Sequence, residues 1–473
     1  MISQRAQNIV ASVTGELSAK VTELKAQGKD VIKLNIGEPD FRPPENIAEA
    51  AIAAIEEGFS KYVAIPGIIE LRKAICAKLE KDNHLVYSPN EICVSTGAKQ
   101  AVMNALMALC DPGDEVIIPT PCWVSYSEMV KLTGAAPAFV PCKAETGFAL
   151  NVDDIAAAVT PHTKAIIICT PNNPTGAVYS EQTLRALAAL AVEKDFYIIA
   201  DEIYEKLIFG DAKHFSIASI SEEVRERCVT INGFSKAYAI PGWRLGYSAA
   251  VGEVAASIKS IQSHATSAAN CIAQRAGVAA LTGPQDSVEA MRREYERRRD
   301  YAFGALKAMP GVELEMPHGA FYLFPKVDSY FGTQYQNYQI NSSKDLANYL
   351  LDEAEIAVVF GEAFYMNGYL RISYANSMEN IQEALRRMAE QTAERRYPLE
   401  RRLSISCAAG RCRAWKRHTD STSRILRRGS AVYPLEHMHP PGEAVPIRCP
   451  KRLSRYCGPR WYPRRFLGLC ISL

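Results

Sequence analysis

The stretch "GFSKAYAIPGWRLGY", residues 233–247, sets Lys236 eight residues before Arg244 in a run otherwise built of small, apolar and aromatic side chains. Two cations held close in such surroundings repel each other, and both resist losing water. An anion on the arginine, or a lysine that gives up its charge in a covalent bond, resolves the conflict. A lone lysine or arginine is ordinarily a solvated or ion-paired surface group, so the stretch takes its meaning from what stands beside it.

Three other segments carry chemistry, each just after an apolar, β-branched run. In "STGAKQAV" small residues lead into a helix starting near Lys99. Gly97, Ala98 and Lys99 then present unpaired N–H groups at the positive end of the helix dipole, a seat for phosphate. In "TPNNPTG" Pro171, Pro174 and Gly176 form a turn that holds Asn173 at the mouth of a strand. In "ADEIYEK" Asp201 ends an apolar strand with Tyr204 three residues on, and a carboxylate buried there requires a cationic or hydrogen-bonding partner.

Together these parts match the needs of pyridoxal 5'-phosphate. Its phosphate takes a helix N-terminus and an arginine, its pyridine nitrogen a carboxylate that keeps it protonated, and its aldehyde a lysine for a Schiff base. Imine formation removes the charge of Lys236, and the phosphate neutralises Arg244.

The elements that must position these residues are legible as a rhythm over residues 1–400. The runs "EICVST", "DEVIIP", "KAIIICT", "FYIIAD" and "CVTING" alternate with segments of helical period such as "AKQAVMNALMALC" and "EQTLRALAALAVEKD", with turns such as "DPGD" between them. This predicts an α/β fold: a mainly parallel sheet flanked by helices, with its ligand at the carboxyl ends of the strands. A length of 473 residues predicts two or three domains, and 48% hydrophobic with 22% charged residues is ordinary for a soluble globular chain. No apolar run reaches 18 residues, so no membrane span is expected. The polar N-terminus "MISQRAQNIV" lacks a secretory layout, and cytoplasmic residence is expected. The 13 cysteines show no CxxC pairs or metal-ligand spacing and read as reduced thiols, without disulfides or a metal site.

The net charge of +2 conceals a break, because residues 401–473 hold 16 Lys+Arg against 3 Asp+Glu. That region is rich in Arg and Pro and has no structural period. It predicts a basic, non-globular, disordered tail over 396–473, an appendage and not a nucleic-acid arm. The charge run "SVEAMRREYERRRDYAFGALKAM" reads as a solvated helix face.

From about Ile32 to Ala393 the chain resembles the class I and II aminotransferases, pyridoxal phosphate enzymes of fold type I, and most of all their bacterial aspartate and prephenate branch. The resemblance rests on "GEPDF", "KYVAIPGIIELRKAI", "TGAKQA", "DPGDEVIIPTPCWVSY", "TPNNPTGAVYS", "DEIYEKL", "NGFSKAYAIPGWRLGY", "GAFYLFP" and "YLRISYA", in the family's order. It implies that Lys236 forms the internal Schiff base and then carries the proton between Cα and C4′. Asp201 would pair with the pyridinium nitrogen, Tyr204 and Asn173 would bond the phenolic oxygen, and Trp123 would stack on the ring. Gly97, Ala98, Lys99, Ser235 and Arg244 would hold the phosphate. Arg371 and the N–H of Gly37 would clamp the substrate α-carboxylate, with Lys99 reading a distal one.

The resemblance further implies a homodimer with shared sites, in which Tyr62 reaches the neighbouring subunit's phosphate. It implies a large domain over 46–280 and a small domain made of 1–45 and 281–395. The expected reaction moves an amino group between an amino acid, aspartate or glutamate above all, and a 2-oxo acid by a ping-pong mechanism. Two alternatives share the scaffold: β-elimination of a sulfur amino acid, and a non-catalytic pyridoxal-phosphate-binding regulator. No nucleic-acid, membrane or metal partner is expected.

Overall fold

The computed structural model describes residues 2–393 apart from Gln336, and these fall within one compact unit. The tail expected over 396–473 lies outside the described residues. The strands are β1 (Ile32–Lys33), β2 (Ile92–Ser95), β3 (Glu115–Thr120), β4 (Ala136–Pro141), β5 (Thr163–Cys169), β6 (Tyr197–Asp201), β7 (Cys228–Gly233) and β8 (Gly246–Ala249). There follow β9 (Tyr322–Leu323), the hairpin β10 (Thr333–Tyr335) and β11 (Tyr338–Ile340), then β12 (Ile356–Ala357), β13 (Val359–Phe360) and β14 (Leu370–Ser373).

Seven strands form one sheet in the order β2-β8-β7-β6-β5-β3-β4. All the apolar runs named above fall on it, and β2 and β7 are buried along their whole length. Such strands carry no polar alternation because helices cover both faces of the sheet. One apolar cluster lies against the helix Ala98–Leu109, through Ala101, Val102 and Ala105, and the other against Glu181–Lys194, through Leu184, Leu187 and Ala188.

Two strands left no such run. The edge strand β4 is largely exposed and holds two prolines, and β8 is only four residues long with no run of branched apolar side chains. β8 also breaks the parallel order, pairing antiparallel with both β7 and β2. The loop between β7 and β8 contains only the 3-10 turn Pro241–Trp243, and without a crossover helix the chain can only return antiparallel. Because β8 opposes both neighbours, β2 points the same way as β5, β6 and β7. The loops after all four strands therefore open on one edge of the sheet.

The N-terminal segment joins the C-terminal part of the chain: β1 pairs parallel with β12, Ile32 opposite Ile356. β14 sits between β13 and β9 in a small antiparallel sheet and carries Arg371.

The charged helix Asp286–Lys307 corrects the solvated-face reading. Arg298 and Arg299 are buried. Arg298 bonds Asp40 at 2.7 Å and lies 4.9 Å from the Phe41 ring, and Arg299 donates to the carbonyl of Pro317 at 3.2 Å. Arg293 and Arg297, with side chains 73% and 60% exposed, do face solvent. A guanidinium can bury its plane against aromatic rings while its edge stays paired, which a charge count along the sequence does not register.

Candidate active site

The loops on that edge enclose a cavity of about 450 Å³. It is lined by every sequence-predicted site residue except Gly97 and Tyr62: Gly37, Ala98, Lys99, Trp123, Asn173, Asp201, Tyr204, Ser235, Lys236, Arg244 and Arg371.

Gly97 lies just behind the wall, as N-cap of the helix Ala98–Leu109 with φ of 81°. A side chain there would come within 2.7 Å of an Arg244 guanidinium nitrogen. Only glycine both adopts this backbone and lets the arginine lie over the helix start, where two sources of positive potential converge. Gly246 of β8 makes a similar close approach, since a Cβ there would fall 2.4 Å from the backbone nitrogen of Ala98.

Asp201, at the end of β6, is buried and accepts from the Tyr126 hydroxyl at 2.7 Å and the Ile203 N–H at 3.2 Å. Burial pushes its carboxyl up to about 6, although both donors favour the anion. A cation of suitable shape would stabilise this anion strongly.

Lys236 follows β7, and its ammonium donates to the carbonyl of Gly37. Burial brings its pKa down to about 8, with Arg371 and Arg244 pulling the same way and Glu38 and Asp201 opposing. The conflict between two cations posed by residues 233–247 is thus met in part by a lysine that loses its proton readily.

Arg371 is buried, donating from Nη1 to Asn173 Oδ1 at 3.0 Å and from Nη2 to the Asn35 carbonyl at 2.8 Å. Its guanidinium lies 4.6 Å from the Tyr322 ring centre and 4.9 Å from that of Phe364. Its Nε and both side-chain polar atoms of Asn35 are buried without a hydrogen-bond partner among the described residues. Buried polar groups left in this state fit a site that a polar ligand completes.

Lys99 holds its ammonium 4.8 Å from the centre of the Trp123 ring, and burial, then the nearby Arg244, lowers its pKa. Ser12 and Thr14, at the start of the helix Val13–Ala26, line the same cavity.

Tyr126, Asn35, Tyr322, Ser12 and Thr14 escaped the sequence reading. Tyr126 stands three residues after Trp123 in "PCWVSY", and Tyr322 within "GAFYLFP". Each motif was visible, but which side chain faced the cavity was not. Tyr62 is 99% exposed and lies away from the cavity of its own chain.

Behind the turn carrying Asp201 and Tyr204, the side chains of Glu202, Glu205 and His214 come within metal-ligand spacing. Lys78 already stands on this group, paired with Glu205 and donating to Asn83 at 2.6 Å, so an ammonium supplies the counter-charge. Burial alone would raise the carboxyl of Glu205, but Lys78 and then His214 hold it down at about 2. The stability this contributes is complete above the ordinary carboxylate range and is lost as pH falls from about 4.5 toward 2. Lys78→Met leaves buried acid unpaired and is expected to cost about 3–5 kcal/mol, read as a fall in Tm. Adding Glu205→Gln will recover part of the loss, and a Tm unchanged by Lys78→Met would show that the pair contributes nothing net.

The family model of the class I and II aminotransferases matches residues 29–388. The chain belongs to this family. An aspartate aminotransferase of Bacillus sp. (strain YM-2) is 42% identical over 388 residues, 82% of this chain and 98% of the relative. A probable aspartate/prephenate aminotransferase of Aquifex aeolicus is 44% identical, over 83% and 99% of the two chains. Among solved structures, the aspartate aminotransferase of Thermus thermophilus with maleate superposes with a TM-score of 0.78 at 41% identity, covering 82% of this chain and 99% of that one. The Rhizobium meliloti enzyme gives 0.81 at 39%, covering 84% and 99%.

The α/β fold is that of the aspartate aminotransferases, and the protein is an aminotransferase. These likenesses favour amino transfer over β-elimination and over a non-catalytic regulator. Among the described residues, no helix of this aminotransferase is long and apolar enough to cross a membrane.

Proposed function

We propose that this aminotransferase binds pyridoxal 5'-phosphate and moves the amino group of a dicarboxylic amino acid, aspartate or glutamate, to a 2-oxo acid, taking the two substrates in turn. The observation that carries the reading is the convergence, in one cavity, of a buried carboxylate with only neutral donors, a readily deprotonated lysine, and two cations suited to carboxylates, Arg371 and Lys99.

The residues present fit the cofactor. Asp201 would hold its pyridine nitrogen, Tyr204 and Asn173 its phenolic oxygen, and Trp123 its ring face. Gly97, Ala98, Lys99, Ser235 and Arg244 would hold its phosphate. When bound, the cofactor supplies an electron sink for the substrate carbon that loses its proton. Lys236 would attach it and, once released, carry that proton, a task suited to an amine that titrates near the working pH. Arg371 would grip the α-carboxylate through its planar fork, with the Gly37 N–H alongside, and so fix the angle of the breaking C–H bond. Lys99, with the hydroxyls of Ser12 and Thr14 lining the same cavity, would meet the distal carboxylate. The names of the Bacillus and Thermus relatives, and the dicarboxylate maleate in the Thermus structure, support this substrate class. Prephenate as an acceptor is the second reading, supported by the name of the Aquifex relative.

The proposal extends to assembly and place. In a homodimer the exposed Tyr62 would reach the partner's phosphate site, completing it. Residues 1–45 and 281–395 would move as a small domain over 46–280, a division supported by the pairing of β1 with β12. A cytoplasmic location suits the eight described free cysteines, six of them buried.

Purified protein given pyridoxal phosphate and a panel of amino acids tests the reading, since the cofactor's visible band is lost as amino transfer proceeds. Aspartate and glutamate are expected to react fastest, without release of pyruvate or ammonia. Lys99→Ser will lower kcat/KM for these two roughly 10- to 150-fold, the value of a charge-assisted contact, and spare an apolar amino acid. Equal losses for acidic and apolar substrates would confine Lys99 to the phosphate loop and remove the dicarboxylate preference.

A further inference from the structure

Tyr204 and Tyr322 face one another inside the cavity with their hydroxyl oxygens 2.8 Å apart, and both are buried. A phenol has one proton to give and an oxygen that accepts. In such a pair one hydroxyl donates and the other receives, and only the receiving one keeps its proton free for a third group. The direction of this one bond therefore decides what Tyr204 can offer to a ligand.

The surroundings of the two rings favour one direction. The Arg371 guanidinium lies 4.6 Å from the Tyr322 ring centre, and a cation there makes the Tyr322 hydroxyl the stronger donor of the two. Burial raises both phenols; Arg371 draws both down but counts most for Tyr322, which the bond to Tyr204 lowers further, while Tyr322 pushes Tyr204 higher. The backbone of Gly37 closes on the same hydroxyl so tightly that a Cβ at residue 37 would stand 2.3 Å from it. Glycine at residue 37 is what leaves space for the Tyr322 hydroxyl beside Tyr204.

We propose that Tyr322 is a positioning residue that donates its proton to the Tyr204 oxygen, so that the only proton of Tyr204 points at the phenolic oxygen of the cofactor. The inference rests on the pyridoxal phosphate reading above. A row of aligned O–H groups polarises along its length, each bond strengthening the next, so Tyr322 makes Tyr204 a better donor without touching the cofactor. Its effect is to hold the phenolic oxygen as the anion and to lower the pH at which the lysine-bound cofactor takes up a proton.

The test is a pH titration of the visible absorbance of the cofactor-loaded protein without substrate. Tyr322→Phe keeps the ring beneath Arg371 and removes only the hydroxyl. Its midpoint is expected to rise by about 0.5 to 1 pH unit, the scale of one lost hydrogen bond. Tyr204→Phe will raise the midpoint too, and adding Tyr322→Phe to it will produce no further rise, because the second phenol acts through the first. The Tm and cofactor retention of each variant, measured beside the titration, establish that it is folded before midpoints are compared.

A Tyr322→Phe midpoint equal to wild type overturns the proposal, as does a further rise in the Tyr204→Phe background. A role in packing alone would change KM for carboxylate substrates and leave the midpoint in place, which also overturns it. A wild-type protein that takes up no visible chromophore sinks the underlying cofactor reading instead, so the two failures are distinguishable.

Discussion

Lys236→Ala will abolish amino transfer, with a fall in rate of at least about 10⁴-fold, while the protein still folds and still takes up pyridoxal phosphate. Two losses combine. A positioned proton carrier is worth about 10²- to 10⁴-fold by itself, and in the proposed reading the same side chain would also attach the cofactor. The variant removes the group that burial and two neighbouring arginines have brought down to about 8. Gly97, Arg244 and Asp201, the residues proposed to hold the phosphate and the ring nitrogen, stay in place, so cofactor uptake is expected to survive. Single-turnover mixing of the loaded variant with aspartate measures the first loss, and dialysis followed by cofactor assay measures retention. Turnover within tenfold of wild type would remove Lys236 from the mechanism.

Asp201→Asn is expected to cost roughly 10²- to 10⁴-fold in kcat/KM. The substitution preserves shape and leaves an oxygen for the Tyr126 hydroxyl, so its effect is one of charge. A buried ion pair that loses one partner costs about 3–5 kcal/mol, which converts to that range of rates. Without the anion the pyridine nitrogen would not keep its proton, and the ring would draw electrons poorly. Steady-state kinetics across pH checks this. Activity within a few-fold of wild type would show that the cofactor nitrogen is held by something else.

The strands that carry the site were legible because they are buried on both faces. The run "KAIIICT" became β5 and "FYIIAD" became β6, with Asn173 and Asp201 at their mouths. Loops that follow such strands must open at one edge, which is why Lys236, Asp201 and Gly97 could be grouped before any coordinate was known. β4 and β8 stayed hidden, one for its prolines and exposed edge, the other for its four-residue length without branched apolar side chains.

What periodicity does not carry is the rotation of a side chain within a motif. Trp123 and Tyr126 share one motif, yet only the fold shows that Tyr126 reaches Asp201. Long-range juxtapositions are hidden for a different reason. The bonds from Arg371 to Asn35 and to Asn173 join segments 336 and 198 residues apart, and no local pattern encodes them. The burial of Arg298 and Arg299 follows the same logic, since their partners Asp40 and Pro317 lie on other elements.

The parallel pairing of β1 with β12 has a consequence for how the molecule is made. Ile356 is made long after Ile32, so the N-terminal strand waits through more than half of translation for its neighbour. The seven strands of the large sheet, which end at Ala249, can assemble meanwhile. The strand bearing Arg371 arrives after them, and Asn35 finds its arginine only then. A nascent chain halted before residue 371 would carry Lys236, Asp201 and Gly97 without the arginine proposed to grip the α-carboxylate. The grip proposed for Arg371 would thus be completed late, since Asn35 has no partner in β14 until the chain has grown past residue 371.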